Sequence, residues 1–399
     1  MIDDVWVREH FDYVSDDLAH HLHGALARAR RLCPVTHSDA RGGYWVVTKY
    51  EDVLRIAQNW ETFSSQLGVS IPDNDDTALS IPEHIDPPLH REYKRLISAY
   101  FTPTVVAQYE DRTRALVHGL IDGFIEKGEC DFQEEFAVPF PARAFFEFVL
   151  NAPSDEVVRL GQLSTAVTNP TTPDVAACYK GLTDWIDDFL EHRQSQPARG
   201  DVVDAVRVAQ IEGRPITYPE VQAIILLLIL GGLETTTGAL GQIMIRFCRE
   251  PEIPQLLRDK PELIPEAVEE LLRLEGPFIA IGRTVRHETQ LNGCPVMPGE
   301  KVLISWASAN RDEDEFPDSD KFDLDRDRNR HLAFGAGPHR CAGSSLARLN
   351  LRIAVEAMTQ RILDPEVTVS EREIHFHSAF NRAPLNLPLR FRPGRRVGA

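Results

Sequence analysis

Between Phe334 and Gly343 the chain reads FGAGPHRCAG, which crowds glycines, a proline and a histidine around Cys341. Four roles are open to that cysteine. A buried structural thiol is the ordinary fate of a lone Cys. A zinc site needs about four ligands in separated pairs, and His339 beside Cys341 does not supply them. A catalytic thiol wants a base and an orienting partner, which the sequence does not place. The fourth role is an axial thiolate on haem iron, and it alone gives the glycines work. A thiolate in a low-dielectric site needs backbone N–H groups aimed at it. Gly335 and Gly337 would allow a tight bulged turn that presents such donors. Gly343, opening the next helix, would let a flat macrocycle approach the backbone.

Other segments carry groups that chemistry would use. In EAVEELLRLEGP, Glu270 and Arg273 stand at i,i+3 spacing and can pair, although a solvated helix pair is the commoner result. In GGLETT, Glu234 is a carboxylate within an apolar stretch, where unpaired burial is costly. Either it faces solvent at a helix bend or it is a functional acid. Gly231 and Gly232 are expected to loosen the helix there. DPPLHREYKRL offers His90 and Lys94, and IAIGRTV offers Arg283.

Taken in chain order, these segments resemble the cytochrome P450 family. F-G-x-G-x-H-x-C-x-G is its haem-binding signature, and this sequence matches every fixed position. Glu270 and Arg273 match its E-x-x-R. SANRDEDEFPDSDKFDLDR is similar to the stretch that follows, with Lys321 where an arginine often completes the network. GGLETT resembles the oxygen-activation motif. The resemblance implies Cys341 as the metal ligand of haem b, with Phe334, Gly335 and Gly343 against the macrocycle. It implies His90, Lys94 (in place of the usual arginine), Arg283 and His339 as propionate partners. Glu234 and Thr235 become the pair that moves protons towards the oxygen being activated.

Substrate contacts are carried over by position: Leu79 and Ile81; Leu227, Leu230 and Gly231; Phe278, Ile279 and Ile281; Phe380 and Asn381. Together they imply a mostly apolar pocket for a small terpenoid, alicyclic or aromatic molecule, with Asn381 as a polar anchor. GECDFQEEFAVPFPARAF and EGRPITYPE look especially like the camphor-hydroxylating bacterial branch. The implied activity is insertion of one oxygen atom of O2 into a C–H bond, by hydroxylation or oxidative demethylation. No reductase domain fits beside this fold, so electrons are expected from a separate ferredoxin, served by a ferredoxin reductase and NAD(P)H. Arg91, Lys94, Arg95, Arg340 and Arg348 are candidates for its docking patch. A peroxide-driven enzyme or a non-catalytic haem carrier would have no use for a Glu234–Thr235 relay.

The elements that position these groups are mainly helical, an α+β chain read as one domain over residues 1–399. TYPEVQAIILLLILGGLETTTGALGQIMIRFCREPE predicts one long helix, with Thr217 as N-cap, Pro219 in the first turn and Pro251 beyond the end. Short strands are expected in YWVVTKY, in TVRHETQLNGCPVMPGEKVLISWAS with its Asn-Gly and Pro-Gly turns, and in the last thirty residues. GVSIPDNDDTALSIPEHIDPP reads as a long functional loop. With 43 basic and 61 acidic side chains the net charge is −18, which argues against nucleic acid and anionic lipid. Six scattered cysteines without a C-x-x-C pair read as cytosolic thiols. The longest apolar run, Ala223 to Leu233, is 11 residues, against roughly 20 for a bilayer span. A cytoplasmic monomer without a membrane anchor is expected.

Overall fold

A helix of 32 residues, Tyr218–Arg249, runs through the molecule and organises it. Its start is fixed as the sequence predicts: the Glu220 carboxylate accepts hydrogen bonds from both the backbone N–H and the hydroxyl of Thr217, 2.7 Å each. By length and composition alone this helix would cross a bilayer; here most of its apolar window is buried against protein. It also runs unbroken through Gly231 and Gly232, so the expected loosening is not found. These glycines serve space instead. A Cβ on Gly232 would stand 2.7 Å from the Phe145 ring, whereas one on Gly231 would meet nothing within 4 Å.

The computed structural model describes residues 2–72, 80–153, 156–168, 172–378 and 380–397. Around the long helix lies a helical core. It takes in the aromatic series Phe132, Phe136, Phe140 and Phe146, together with the Ser344–Arg361 helix that follows the cysteine. A five-stranded sheet forms the second region, in the order Val35–Ser38, Tyr44–Val47, Lys301–Ile304, Ile281–Val285, Phe63–Ser64. One side of it packs on the cluster containing Ile281, Val302, Trp306 and Leu332, the other on Phe11, Tyr13, Leu18 and Leu303. The Ile281–Val285 strand is buried along its whole length, and it carries Arg283 into the interior.

The predicted turns are present. Asn292 and Gly293 have φ of 48° and 81°, and they close the hairpin between Thr289–Leu291 and Cys294–Val296. Near the C-terminus Phe376–Ser378 pairs with Arg382–Pro384, and Asn381 bridges back to Phe278. That hairpin seats on the long helix at two notches. A Cβ on Gly238 would come within 3.1 Å of the Ala383 Cβ and nearer still to Pro277, and one on Gly241 within 2.5 Å of the Pro384 ring.

Candidate active site

The Cys341 loop is held by backbone geometry that favours glycine. Gly335 and Gly337 both sit at φ 67°. A Cβ on Gly337 would run into the Ala57 carbonyl, so the preceding Tyr50–Gln58 helix leaves no room for any other residue. The turn closes where the Cys341 N–H donates to the Phe334 carbonyl, 2.8 Å. Cys341 then hands over to Gly343, which caps the Ser344–Arg361 helix. Within this loop the Cys341 side chain stays accessible.

Burial pushes the Cys341 thiol up; the Gly343 N–H and the charges of Lys94, Arg340 and Arg348 pull it the other way without prevailing. Left to itself the sulfur keeps its proton. A bound metal cation would remove it outright, which is the chemistry a thiolate ligand requires.

Behind the loop, Glu270 and Arg273 form a buried bidentate pair, with both N–O distances 2.8 Å. Arg273 goes on to donate to the carbonyls of Asn310 and Ser319. The Asn310 side chain in turn accepts the Leu332 N–H at 2.6 Å, two residues before Phe334. The pair thus braces the cysteine loop through one intermediary. The third arm is not Lys321, whose exposed ammonium pairs with Asp318 and which lends the network only its carbonyl. Arg326 fills that place, its Nε donating to Glu270 at 2.9 Å while its other nitrogens cap the carbonyls of Pro317, Asp318 and Lys321. Asn329 adds a further donor to Glu270. Sequence reasoning missed both, although DLDRDRNR held the signal.

The predicted propionate partners do converge. The rings of His90 and His339 lie 4.4 Å apart, and Arg283 and Lys94 are both close enough to depress His339, although burial is the main cause of its low pKa. Burial likewise takes His90 down to about 4 and Arg283 to about 10. Both ring nitrogens of His90 are buried without a hydrogen-bond partner among the described residues. Among the described residues the Arg283 side chain bonds only the Gly282 carbonyl and that of Lys94 only the Arg340 carbonyl. Among the described residues no carboxylate hydrogen-bonds any of the four. Buried donors and cations without a hydrogen-bonded anion are costly, and a porphyrin's paired carboxylates are the kind of group that would satisfy them. These residues fit haem.

The long helix keeps Leu227, Leu230, Gly231 and Thr235 accessible, spaced to share a face. Glu234 is not on it. Its carboxyl is buried, accepting from Thr168 at 2.6 Å and from Asn381 at 3.0 Å. Burial raises it to about 7, against those neutral donors. Thr235 instead donates back to the Gly231 carbonyl, 3.0 Å. The acid and the alcohol are adjacent in sequence but engaged elsewhere.

Among the predicted substrate contacts, Phe278 and Phe380 are half-buried with rings 6.2 Å apart, and Phe380 also stacks on Tyr13. Ile81 joins the helical core, and Ile279 and Ile281 fall in the two sheet-side cores. Asn381, read as a substrate anchor, is committed to Glu234. Leu79 lies outside the described residues. Of the docking candidates, Arg348 is tied bidentately to Glu269 at 2.7 Å and stacks over Phe334 at 4.4 Å. Arg91, Arg95 and Arg340 are exposed and, among the described residues, pair with no carboxylate.

The chain is similar to known proteins over nearly its whole length. A cytochrome P450 profile matches residues 144–363. Linalool 8-monooxygenase from Pseudomonas putida is 27% identical over 387 residues, covering 92% of this chain and 94% of that one. Steroid C26-monooxygenase from Mycolicibacterium smegmatis is 31% identical over 364 residues, covering 88% and 89%. The solved structure of cytochrome P450 CYP109Q5 from Chondromyces apiculatus superposes with a TM-score of 0.85 at 29% identity, covering 98% of this chain and 100% of that one. Signature, fold and relatives agree: the chain belongs to the cytochrome P450 family of haem-thiolate monooxygenases.

Proposed function

We propose that this monooxygenase inserts one oxygen atom of O2 into a C–H bond of a small, largely apolar molecule, by hydroxylation or oxidative demethylation. Electrons would come from a separate ferredoxin, reduced in turn by a ferredoxin reductase at the expense of NAD(P)H. When bound, the haem supplies the binding and reductive activation of O2; the chain supplies the rest. Cys341 holds the metal, and Arg283, Lys94, His90 and His339 hold the cofactor's carboxylates. The accessible Leu227–Thr235 face, with Phe278 and Phe380, offers an apolar wall for substrate.

The observation that carries the reading is Glu234. A buried carboxyl near pKa 7 beside that face can accept and release protons at neutral pH, a property a mere haem carrier would not need. Relatives named for linalool and a steroid support an apolar substrate. A cytoplasmic monomer, one domain over residues 1–399, completes the proposal, in keeping with six free cysteines. Arg91, Arg95 and Arg340 form the docking patch for the acidic redox partner, without Arg348.

The test is turnover of a terpenoid and alicyclic panel with NADH, reductase and a surrogate ferredoxin, set against peroxide alone. Product only with the electron chain supports the proposal. Product with peroxide alone, or none under either condition despite substrate binding, refutes it. Within the active system, Arg340→Glu should weaken ferredoxin-driven turnover steeply at low salt and little at high salt.

A further inference from the structure

We propose that Thr168 and Asn381 are positioning residues of the proton path, which clamp the Glu234 carboxyl in a resting position turned away from Thr235. The inference rests on the reading of Glu234 as a proton carrier, and it adds two residues that no motif contains.

The clamp closes from two sides. Thr168, in the last turn of the Val157–Thr168 helix, holds Oε1 at 2.6 Å, and Asn381, in the C-terminal hairpin turn, holds Oε2 at 3.0 Å. The groups facing the carboxyl from these elements are Thr165, Thr168 and Asn381, all neutral. Among the described residues no cation locks the carboxyl in its ionised form, and no second carboxylate forces it neutral. Two amphoteric or amide partners are what a group needs if it is to change protonation without losing its place.

Thr168 is suited to that change. Its hydroxyl also lies 3.2 Å from the Thr165 carbonyl and 3.3 Å from that of Ser164. A hydroxyl has one hydrogen and two acceptor sites. With Glu234 ionised, the hydrogen points to Oε1. With Glu234 protonated, it turns to a backbone carbonyl and the oxygen accepts from the acid. Valine at this position can do neither, whereas serine can do both.

The clamp is also continuous with the apolar wall. Asn381 forms a backbone bridge to Phe278, and the Phe380 carbonyl accepts the Ile279 N–H at 2.7 Å. The atom that restrains the acid therefore belongs to the same turn as the ring of Phe380.

The test is infrared spectroscopy of the holoenzyme across pH. The protonated-carboxyl band that disappears in Glu234→Gln is assigned to Glu234. Thr168→Val and Asn381→Ala each remove a donor to the ionised form, so each should raise the titration midpoint by about one unit, a tenfold change in the ionisation constant. Thr168→Ser should restore the wild-type midpoint, and this variant guards against misfolding as the cause. Midpoint and band position unchanged in both Thr168→Val and Asn381→Ala would overturn the clamp, even if Glu234→Gln abolished turnover. Shifted bands with a fully active Glu234→Gln would instead overturn the proton-carrier reading and leave Thr168 and Asn381 with no path to position.

Discussion

Replacing Arg326 by alanine should damage this protein far more than replacing Lys321, although Lys321 is the residue that motif alignment nominates. Arg326 has a side chain 6% accessible, against 73% for Lys321. Its Nε meets Glu270 at 2.9 Å, and its remaining nitrogens cap three carbonyls. Breaking a buried pair by removing one partner costs about 3–5 kcal/mol. Glu270 would retain Arg273 and Asn329, so the loss belongs at the lower end, about 3 kcal/mol, or roughly 150-fold in the folding equilibrium. The exposed Lys321–Asp318 pair contributes about 0–1 kcal/mol. Urea unfolding of both holoproteins, followed by tryptophan fluorescence, measures the difference. Because Arg273 and Asn310 transmit the brace to Leu332, Arg326→Ala should also release cofactor faster. Equal midpoints for the two variants, or a larger effect at Lys321, would refute the assignment of the third arm.

Glu234 binds its proton in the folded state up to about pH 7, whereas its ordinary value is 4.5. Between those values the folded form holds a proton that the unfolded form has released, so stability falls as pH rises through that window. Relative to Glu234→Gln, wild type should lose about 3 kcal/mol between pH 4.5 and 8; parallel pH–stability curves would count against a raised pKa. Gly337→Ala should fail to fold or lose several degrees of Tm, since φ 67° disfavours a Cβ and the Ala57 carbonyl excludes one; an unchanged melting curve would contradict the loop geometry. Arg283→Met keeps the stem and removes a buried charge that hydrogen-bonds no carboxylate among the described residues. It should speed haem transfer to an acceptor globin at least tenfold, and more than Lys94→Met does, because Lys94 is less buried and spends a donor on Arg340.

The parts of the site legible in the sequence are those whose chemistry is local. A contiguous loop that needs left-handed glycines beside a cysteine announces itself, as does a glutamate–arginine pair one helical turn apart. What stayed hidden depended on chain segments brought together from far away. Arg326 lies 56 residues from Glu270, in a stretch with several equivalent arginines, and only the path of that loop selects among them. Thr168 is 66 residues from Glu234 and looks like any threonine at a helix end. Asn381 was visible as a polar residue in an apolar setting, yet whether it faced a ligand or an acid was decided by the hairpin's seat on the helix. Ile279 and Ile281 were apolar at the right place, but the sheet has two covered faces and claims both. The long helix was predicted to its caps because one residue series carried both its apolar character and its end signals.

The two glycine notches at 238 and 241 make the far end of the chain a fitted part. Ala383 and Pro384 of the hairpin fill them, with Pro277 and the Gln133 amide alongside, so closely that a single added methyl would press on the hairpin. Asn381 rides on that hairpin and Phe380 stands beside it. Alterations to this distant docking seam would therefore reach the acid and the apolar wall together, without touching either. Directed changes in substrate range that move the last twenty residues should be expected to alter how tightly oxygen consumption is matched to product, and repair of one would have to begin with the seating of the other.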